Sequence, residues 1–374
     1  MKVINAVPFK IGRTIILKMS GDFLPVLKEH GAVALAADEQ APESEAFVLA
    51  RFPVDEEEPI PGLYEIPEDF ISGLNAGDIV KILPNGELQL IWESASRHNA
   101  VFVTDYCNSD CIMCPQTPET KPEHHYETAK SVLSLIDEKP SLSFGITGGE
   151  PLLLPEKLIE LFDVCQKRFP DVSIQLLTNG RILADFDVVA KVLKNCPART
   201  LFCIPLYADN DVEHDAITGA SGSFSQSIRG IHNLIRFKRP VEIRVVMVKQ
   251  NSKRLKDLAH FIFWNFPFAV HVAFMGMETS GVASRNLENV WIDPVDYAEE
   301  LAQAVTFLHQ RLINVSIFNI PLCSLPENIR SFARDSISGW KKTFVPECND
   351  CTKSNECCGF FATSVKKPEH IKPL

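Results

Sequence analysis

Tyr106-Cys107-Asn108-Ser109-Asp110-Cys111-Ile112-Met113-Cys114-Pro115 places three thiols within eight residues, at C-x3-C-x2-C spacing. No fourth cysteine or histidine lies close enough in sequence to complete a local site. Thiolates are soft donors that select zinc, Cu(I) or iron–sulfur clusters. Structural zinc closes a tetrahedron with four ligands. A cubane cluster has four irons, so three local cysteines leave one iron open to a small molecule. The stretch therefore reads as a reaction centre and not as a staple.

Its surroundings define the fold class. Ala100 to Thr104 is a short apolar strand ending just before the cysteines. Downstream, helical and extended patterns alternate: Glu127 to Glu138 helical, Ser143 to Thr147 extended, Pro155 to Phe169 helical, Ser173 to Thr178 extended. Asp185 to Lys194, Ser223 to Phe237 and Arg254 to Trp264 are further helices, interleaved with strands at Thr200 to Leu206, Val241 to Val248 and Ala269 to Met275. Strands recurring at about 30 residues mark βαβ units. Parallel strands joined by right-handed crossovers curl into a full or partial barrel, with functional loops at the carboxyl ends of the strands. The expectation is an α/β fold, a partial (β/α)6 barrel over residues 99–280.

Residues 1–98 read as a β-rich N-terminal domain. Val7 to Met19 alternates, Phe47 to Phe52 is a strand, and Asp55 to Pro61 is an acidic, proline-bearing loop. Pro84-Asn85-Gly86 between Ile79 to Leu83 and Glu87 to Trp92 predicts a hairpin, because Asn-Gly tolerates the positive φ of a tight turn. Residues 281–374 form a Cys-rich C-terminal extension, with a long helix at Pro294 to Leu312 and a strand at Ser316 to Ile320.

The bulk composition excludes several classes. No apolar run reaches the length of a membrane span, and the N-terminus does not read as a signal peptide. A net charge of −11 disfavours nucleic acid as the main partner. Eleven cysteines, clustered at two places in a long chain, read as metal binding in a cytoplasmic protein and not as a disulfide framework.

One βα unit after the cysteines comes Thr147-Gly148-Gly149-Glu150-Pro151. Two glycines admit close approach of a ligand to the backbone, and a fixed carboxylate beside them accepts hydrogen bonds from an ammonium group. Cys107-x3-Cys111-x2-Cys114 followed by this turn resembles the radical S-adenosylmethionine (SAM) superfamily. The resemblance implies that the three thiolates hold a [4Fe–4S] cluster and that the amine and carboxylate of SAM chelate the fourth iron. It also implies that Gly148, Gly149, Glu150 and Pro151 bind that amine, and that SAM is cleaved to methionine and a 5′-deoxyadenosyl radical. An external electron donor is then required.

Other positions follow the barrel order. Asn179, in Leu176-Leu177-Thr178-Asn179-Gly180, resembles the T-N-G turn of the superfamily, or is a plain Asn-Gly turn. Pro205 stands where related enzymes often carry a serine that contacts the SAM ribose, so that contact is not carried over. His214-Asp215-x3-Gly219-x2-Gly222-Ser223-Phe224 resembles a loop-to-helix segment of peptide-modifying members. Arg244 is a candidate partner for the SAM carboxylate, or one half of a salt bridge inside the barrel.

Cys348-x2-Cys351-x5-Cys357-Cys358 is a second metal pattern, with Cys323 available as a fourth ligand. Four thiolates suit zinc or an iron–sulfur cluster. The superfamily resemblance favours an auxiliary [4Fe–4S] cluster in a SPASM/twitch-like extension. Adjacent side chains in an extended chain point to opposite sides, so Cys357 is taken over Cys358. Cys165, Cys196 and Cys203 read as core.

The Ile204-Pro205-Leu206-Tyr207 strand, the Phe274-Met275-Gly276-Met277-Glu278 strand end and the tail with Pro321-Leu322-Cys323, Ser336 to Lys341 and Cys357 to Phe361 are most similar to one subfamily. It is the His-Xaa-Ser system radical SAM maturase of the C type. That resemblance implies a precursor peptide with His-Xaa-Ser repeats as substrate and a second radical SAM maturase as partner. The alternatives are a radical SAM enzyme acting on a small molecule or a tRNA base, and a non-catalytic zinc or electron-transfer protein.

Overall fold

The computed structural model describes residues 2–9, 11, 14–20, 27, 32–35, 47–51, 53, 61–117, 119, 122–137 and 143–374. The chain divides into two compact units, residues 1–101 with 127–144, and residues 102–126 with 145–374.

The first unit holds strands β1 (Lys2–Asn5), β2 (Val7–Phe9), β3 (Ile15–Lys18), β4 (Ala32–Leu35), β5 (Phe47–Ala50), β6 (Gly62–Tyr64), β7 (Ile79–Ile82) and β8 (Glu87–Trp92). They form two four-stranded sheets, in the orders β1-β8-β7-β3 and β2-β6-β5-β4. The alternating stretch at Val7 to Met19 is thus two strands placed in different sheets. The expected hairpin is present: β7 and β8 pair antiparallel, and Gly86 turns the chain with φ +88°. A side chain there would begin 2.2 Å from the Ala6 carbonyl oxygen, so glycine is required by space as well as by φ. Along β8, Leu88, Leu90 and Trp92 are buried while the intervening residues are not, the period-2 pattern of a half-buried strand. Leu63, Phe70 and Ile82 join Leu88 and Leu90 in one core. Residues 55–60 of the expected acidic loop, and Phe52, lie outside the described residues.

A third sheet, of eight strands, begins at β9 (Ala100–Phe102) and continues through β10 (Ser143–Thr147), β11 (Ser173–Leu177), β12 (Thr200–Pro205), β13 (Val241–Val246), β14 (His271–Met275), β15 (Val315–Phe318) and β16 (Ala333–Arg334). Every strand lies beside its predecessor in the chain, and β11 to β16 pair in parallel. This unbroken order is that of a (β/α) barrel and not of a doubly wound sheet, where the order reverses. Helices α1 (Tyr126–Leu135), α2 (Pro155–Arg168), α3 (Phe186–Lys194), α4 (Asp211–Thr218), α5 (Ser223–Arg236), α6 (Leu255–Asn265) and α7 (Ala298–His309) fill the crossovers. α3 is typical: Asp185 caps it by accepting from the amides of Asp187 (2.9 Å) and Val188 (3.2 Å), and Val189, Val192 and Leu193 form its buried stripe. Ile146, Leu176, Ile204, Ile243 and Phe274 are fully buried, each contributing roughly 1.5–3 kcal/mol against exposure.

The sheet extends beyond the six strands expected for residues 99–280. The strand foreseen at Ser316 to Ile320 is β15, which sits beside β14 with Ser316 opposite Ala273, and β16 adds an eighth. The helix foreseen at Pro294 to Leu312 begins as a 3-10 turn at Pro294–Tyr297 before α7. The extension therefore adds two strands to the sheet, with Cys323 between them and the other cysteines after.

Candidate functional site

The three-cysteine loop leaves the C-terminal end of β9, where the Val103 amide donates to the Thr147 carbonyl (2.9 Å). Four contacts fix its course. The amides of Asp110 and Ile112 donate to the carbonyls of Thr218 (2.9 Å) and Ile217 (3.0 Å), at the end of α4. Asn286 Nδ2 donates to the Ile112 carbonyl (3.0 Å), and the Ala283 amide to that of Cys114 (3.1 Å). The His214-Asp215 segment explains why α4 ends there. Asp215 accepts from Ser223 Oγ (2.8 Å) and from the amides of Gly222 (2.5 Å) and Phe224 (2.8 Å), tying α4 to the start of α5.

Cys107 is exposed, and Cys111 and Cys114 are half-buried. Burial first, then negative charge on Cys114 and Cys107, pushes the Cys111 thiol up to about 12. Cys114 is raised by burial. Thiols in this setting stay protonated at neutral pH, and they become thiolates together only when a cation sits among them. An iron cluster supplies that charge, so the donor set fits one. Among the described residues no group of three or more His, Cys, Asp or Glu side chains converges on a single metal ion. Convergence is the demand of structural zinc; the cysteines of a cubane each bind a different iron.

Gly148 and Gly149 lie directly over the segment that leads into the loop. A Cβ on Gly149 would fall 2.1 Å from the Tyr106 carbonyl oxygen, and the Gly149 and Glu150 amides donate to the carbonyls of Thr104 (2.7 Å) and Tyr106 (2.8 Å). The glycines permit this backbone-on-backbone packing. Pro151 is buried, and its carbonyl accepts from Tyr126 Oη (2.7 Å).

The Glu150 carboxylate, expected to face an ammonium group, is turned inward. It is fully buried; Oε1 accepts from Thr178 Oγ1 (2.6 Å) and the Leu152 amide (3.0 Å), and Oε2 from the Asn179 amide (2.7 Å). Burial raises its carboxyl, and these three donors work against the rise. These contacts tie the end of β10 to the end of β11. Asn179 carries that order to the cysteines: its Nδ2 donates to Asn108 Oδ1 (2.6 Å) and lies 3.9 Å from Cys107 Sγ. Arg181 bonds the Asn108 carbonyl and Ser109 Oγ (2.9 Å) from the same turn. Asn108 and Arg181 carried no motif in the sequence; only the folded turn brings them together.

Arg244, a candidate for the SAM carboxylate or for a salt bridge inside the barrel, makes such a salt bridge here. Its Nε donates to Glu242 Oε1 (2.5 Å) and its Nη2 to Gln175 Oε1 (3.3 Å); Glu242 Oε2 pairs with His271 Nδ1 (2.8 Å), whose Nε2 meets Ser316 Oγ (2.9 Å). The chain of contacts crosses β11, β13, β14 and β15, and it occupies the guanidinium. Burial alone would raise the Glu242 carboxyl, but the His271 hydrogen bond and the Arg244 charge hold it down at about 2, against an ordinary 4.5. Because the folded value is depressed, the stabilisation is present above pH 4.5 and is lost as pH falls through about 2. At 1.36 kcal/mol per pH unit this is about 3 kcal/mol. Urea unfolding of Glu242→Gln is expected to show that acid-side loss of stability removed, with the wild-type protein keeping it.

Cys323, Cys348, Cys351 and Cys357 all line one solvent-open pocket, together with Ile371 to Leu374. Cys358 does not line it; it is buried elsewhere, 3.4 Å from the Gly359 carbonyl. A hydrogen bond from the Cys358 thiol, helped by the amides of Leu322 and Gly359 (each 3.5 Å away), holds Cys357 down at about 6. A low thiol beside three others is the one prepared to ligate. Cys357→Ser is expected to lose metal from this pocket and Cys358→Ser to retain it, as read by metal content per chain after anaerobic reconstitution. Cys165, Cys196 and Cys203 are buried in the core.

Sequence reasoning missed Tyr207. It follows β12, is 8% exposed, and packs with Met113, Ile217, Val248 and Val290 in a cluster against which Cys111 and Ile112 lie. Burial, then negative charge on Cys111, Cys114 and Cys107, raises its hydroxyl well above the ordinary value.

No helix among the described residues is long and apolar enough to cross a membrane. An uncharacterized protein of Methanocaldococcus jannaschii is 22% identical over 169 residues, 44% of this chain and 58% of the relative. The AdoMet-dependent heme synthase of Methanosarcina barkeri is 25% identical over 208 residues, 54% and 56% of the two chains. The chain thus spans little more than half the length of these curated relatives. Among solved structures, Streptococcus suis SuiB bound to its precursor peptide SuiA is 16% identical, with a TM-score of 0.48 over 60% of this chain and 49% of SuiB. The enzyme anSMEcpe bound to AdoMet and a peptide is 15% identical, with a TM-score of 0.45 over 58% and 63%. The radical SAM superfamily matches residues 101–262, a segment that contains the three cysteines, the Gly148 to Pro151 turn and Asn179. That match covers less than half of the chain.

Proposed function

We propose that the protein is a radical SAM enzyme that modifies a ribosomally made precursor peptide, one carrying His-Xaa-Ser repeats. In this reading Cys107, Cys111 and Cys114 hold a [4Fe–4S] cluster, and the backbone of Gly148 to Pro151 and the Asn179 turn border SAM. Cys323, Cys348, Cys351 and Cys357 hold an auxiliary [4Fe–4S] cluster. When bound, the first cluster supplies the electron that cleaves SAM to methionine and a 5′-deoxyadenosyl radical, which abstracts hydrogen from substrate. The chain's own part is to hold the thiols, fix the loop through Glu150, Asn179 and Arg181, and keep the site enclosed with Tyr207 and its apolar neighbours.

The observation that carries the reading is that the four tail cysteines line one pocket, in the same unit as the three-cysteine loop. Residues 1–98 serve as a supporting or recognition domain, residues 99–280 as the catalytic barrel and residues 281–374 as the auxiliary-cluster extension. The working setting is the cytoplasm, where thiols stay reduced, with an external electron donor and a second radical SAM maturase as partners. Co-expression with candidate His-Xaa-Ser precursors, followed by mass spectrometry, tests the substrate. A mass change that requires the intact cysteine loop supports the reading, and unchanged precursors alongside active SAM cleavage contradict it.

The similarity to the heme synthase favours one second reading, a small-molecule substrate. It predicts that a tetrapyrrole, and not a peptide, raises the rate of 5′-deoxyadenosine release.

A further inference from the structure

Tyr207 is more than nine-tenths buried, yet no described protein atom hydrogen-bonds its hydroxyl. Its position is well fixed. Asn251 Nδ2 donates to its carbonyl (3.0 Å), the ring sits 5.6 Å from that of His214, and Met113, Ile217, Val248 and Val290 enclose it. His214 does not serve the hydroxyl, since its Nδ1 is engaged with Ser223 Oγ (3.1 Å) and its Nε2 has no partner among the described residues. The ring is packed on its flanks while the hydroxyl is left as a free donor, the usual form of a tyrosine with an apolar body and a polar tip. Cys111 packs against the same cluster of side chains, and Cys111, Cys114 and Cys107 all lie near enough for their charge to act on the hydroxyl.

We propose that the Tyr207 hydroxyl donates a hydrogen bond to a sulfur of the iron–sulfur group held by Cys107, Cys111 and Cys114. The inference rests on the reading that this loop holds a cluster. Hydrogen bonds to cluster sulfur stabilise the more negative, reduced state and so raise the reduction potential. Tyr207 would thus set how readily the cluster accepts its electron, a contribution separate from ligation.

Tyr207→Phe removes the hydroxyl and keeps the ring that packs the loop. Wild-type and variant proteins are reconstituted anaerobically, and the cluster belonging to the loop is identified as the one whose paramagnetic resonance signal SAM perturbs. The expected result is equal iron content and a lower midpoint potential in Tyr207→Phe, measured without SAM. In deuterated buffer, an exchangeable deuteron coupled to that cluster is expected in the wild type and lost in the variant, a change that altered packing alone would not produce. An unmoved midpoint with the deuteron coupling retained would overturn the proposal. So would an effect confined to SAM affinity, which would place the acceptor on SAM. Absence of any SAM-sensitive cluster from the wild-type protein is a distinct failure, and it would remove the underlying functional reading as well.

Discussion

Cys111→Ala is expected to lower SAM cleavage by at least about 100-fold, beyond the range seen when groups merely supporting a metal ligand are removed. Cys111 is the central thiol of the loop, and its neighbours Cys107 and Cys114 both act on it electrostatically. Two thiols cannot hold a cubane against the burial that opposes their ionisation. Iron content should fall from about eight to about four per chain, with the tail pocket still filled. The matched control is Cys165→Ala, which alters a fully buried core cysteine in α2 and should leave cleavage largely intact. Iron assay and chromatographic detection of 5′-deoxyadenosine read both arms. Equal losses in the two variants would mean that the loop acts only through stability.

Glu150→Ala is expected to destabilise the protein by roughly 3–5 kcal/mol, because each buried donor left without its acceptor costs about 1–3 kcal/mol. Three donors are affected: Thr178 Oγ1, the Leu152 amide and the Asn179 amide. The damage should reach the cysteines through Asn179 and its bond to Asn108, one residue from Cys107. Glu150→Gln keeps the shape but sets an amide NH2 against a donor, so its loss should be smaller. Denaturant unfolding gives the order Ala, then Gln, then wild type. If Glu150→Ala instead lost SAM binding at unchanged stability, the carboxylate would be a ligand group after all.

Much of the barrel and the site was legible because local chemistry specified it. The three cysteines were readable from spacing, the β7–β8 hairpin from Asn85-Gly86, and the crossovers from alternating periodicity. The choice of Cys357 over Cys358 rested on neighbouring side chains pointing apart; Cys357 lines the pocket and Cys358 does not. What escaped depended on contacts distant in sequence. Glu150 faces inward because its acceptors match donors 28 and 29 residues away. For Arg244 the sequence left a salt bridge open as one reading, but not its partners Gln175 and Glu242, the latter held by His271 on the next strand. β15 and β16 are four and two residues long, too short for periodicity to assign them to the sheet. Tyr207 looks like an ordinary aromatic in an apolar stretch, and only folding sets it over the cysteine loop.

The account rests on the three-cysteine loop being the seat of reductive SAM cleavage. Anaerobically reconstituted protein, reduced with dithionite and given SAM, tests this directly. The account predicts release of 5′-deoxyadenosine and methionine that depends on Cys107, Cys111 and Cys114. Protein with its full iron complement that forms no 5′-deoxyadenosine would contradict it.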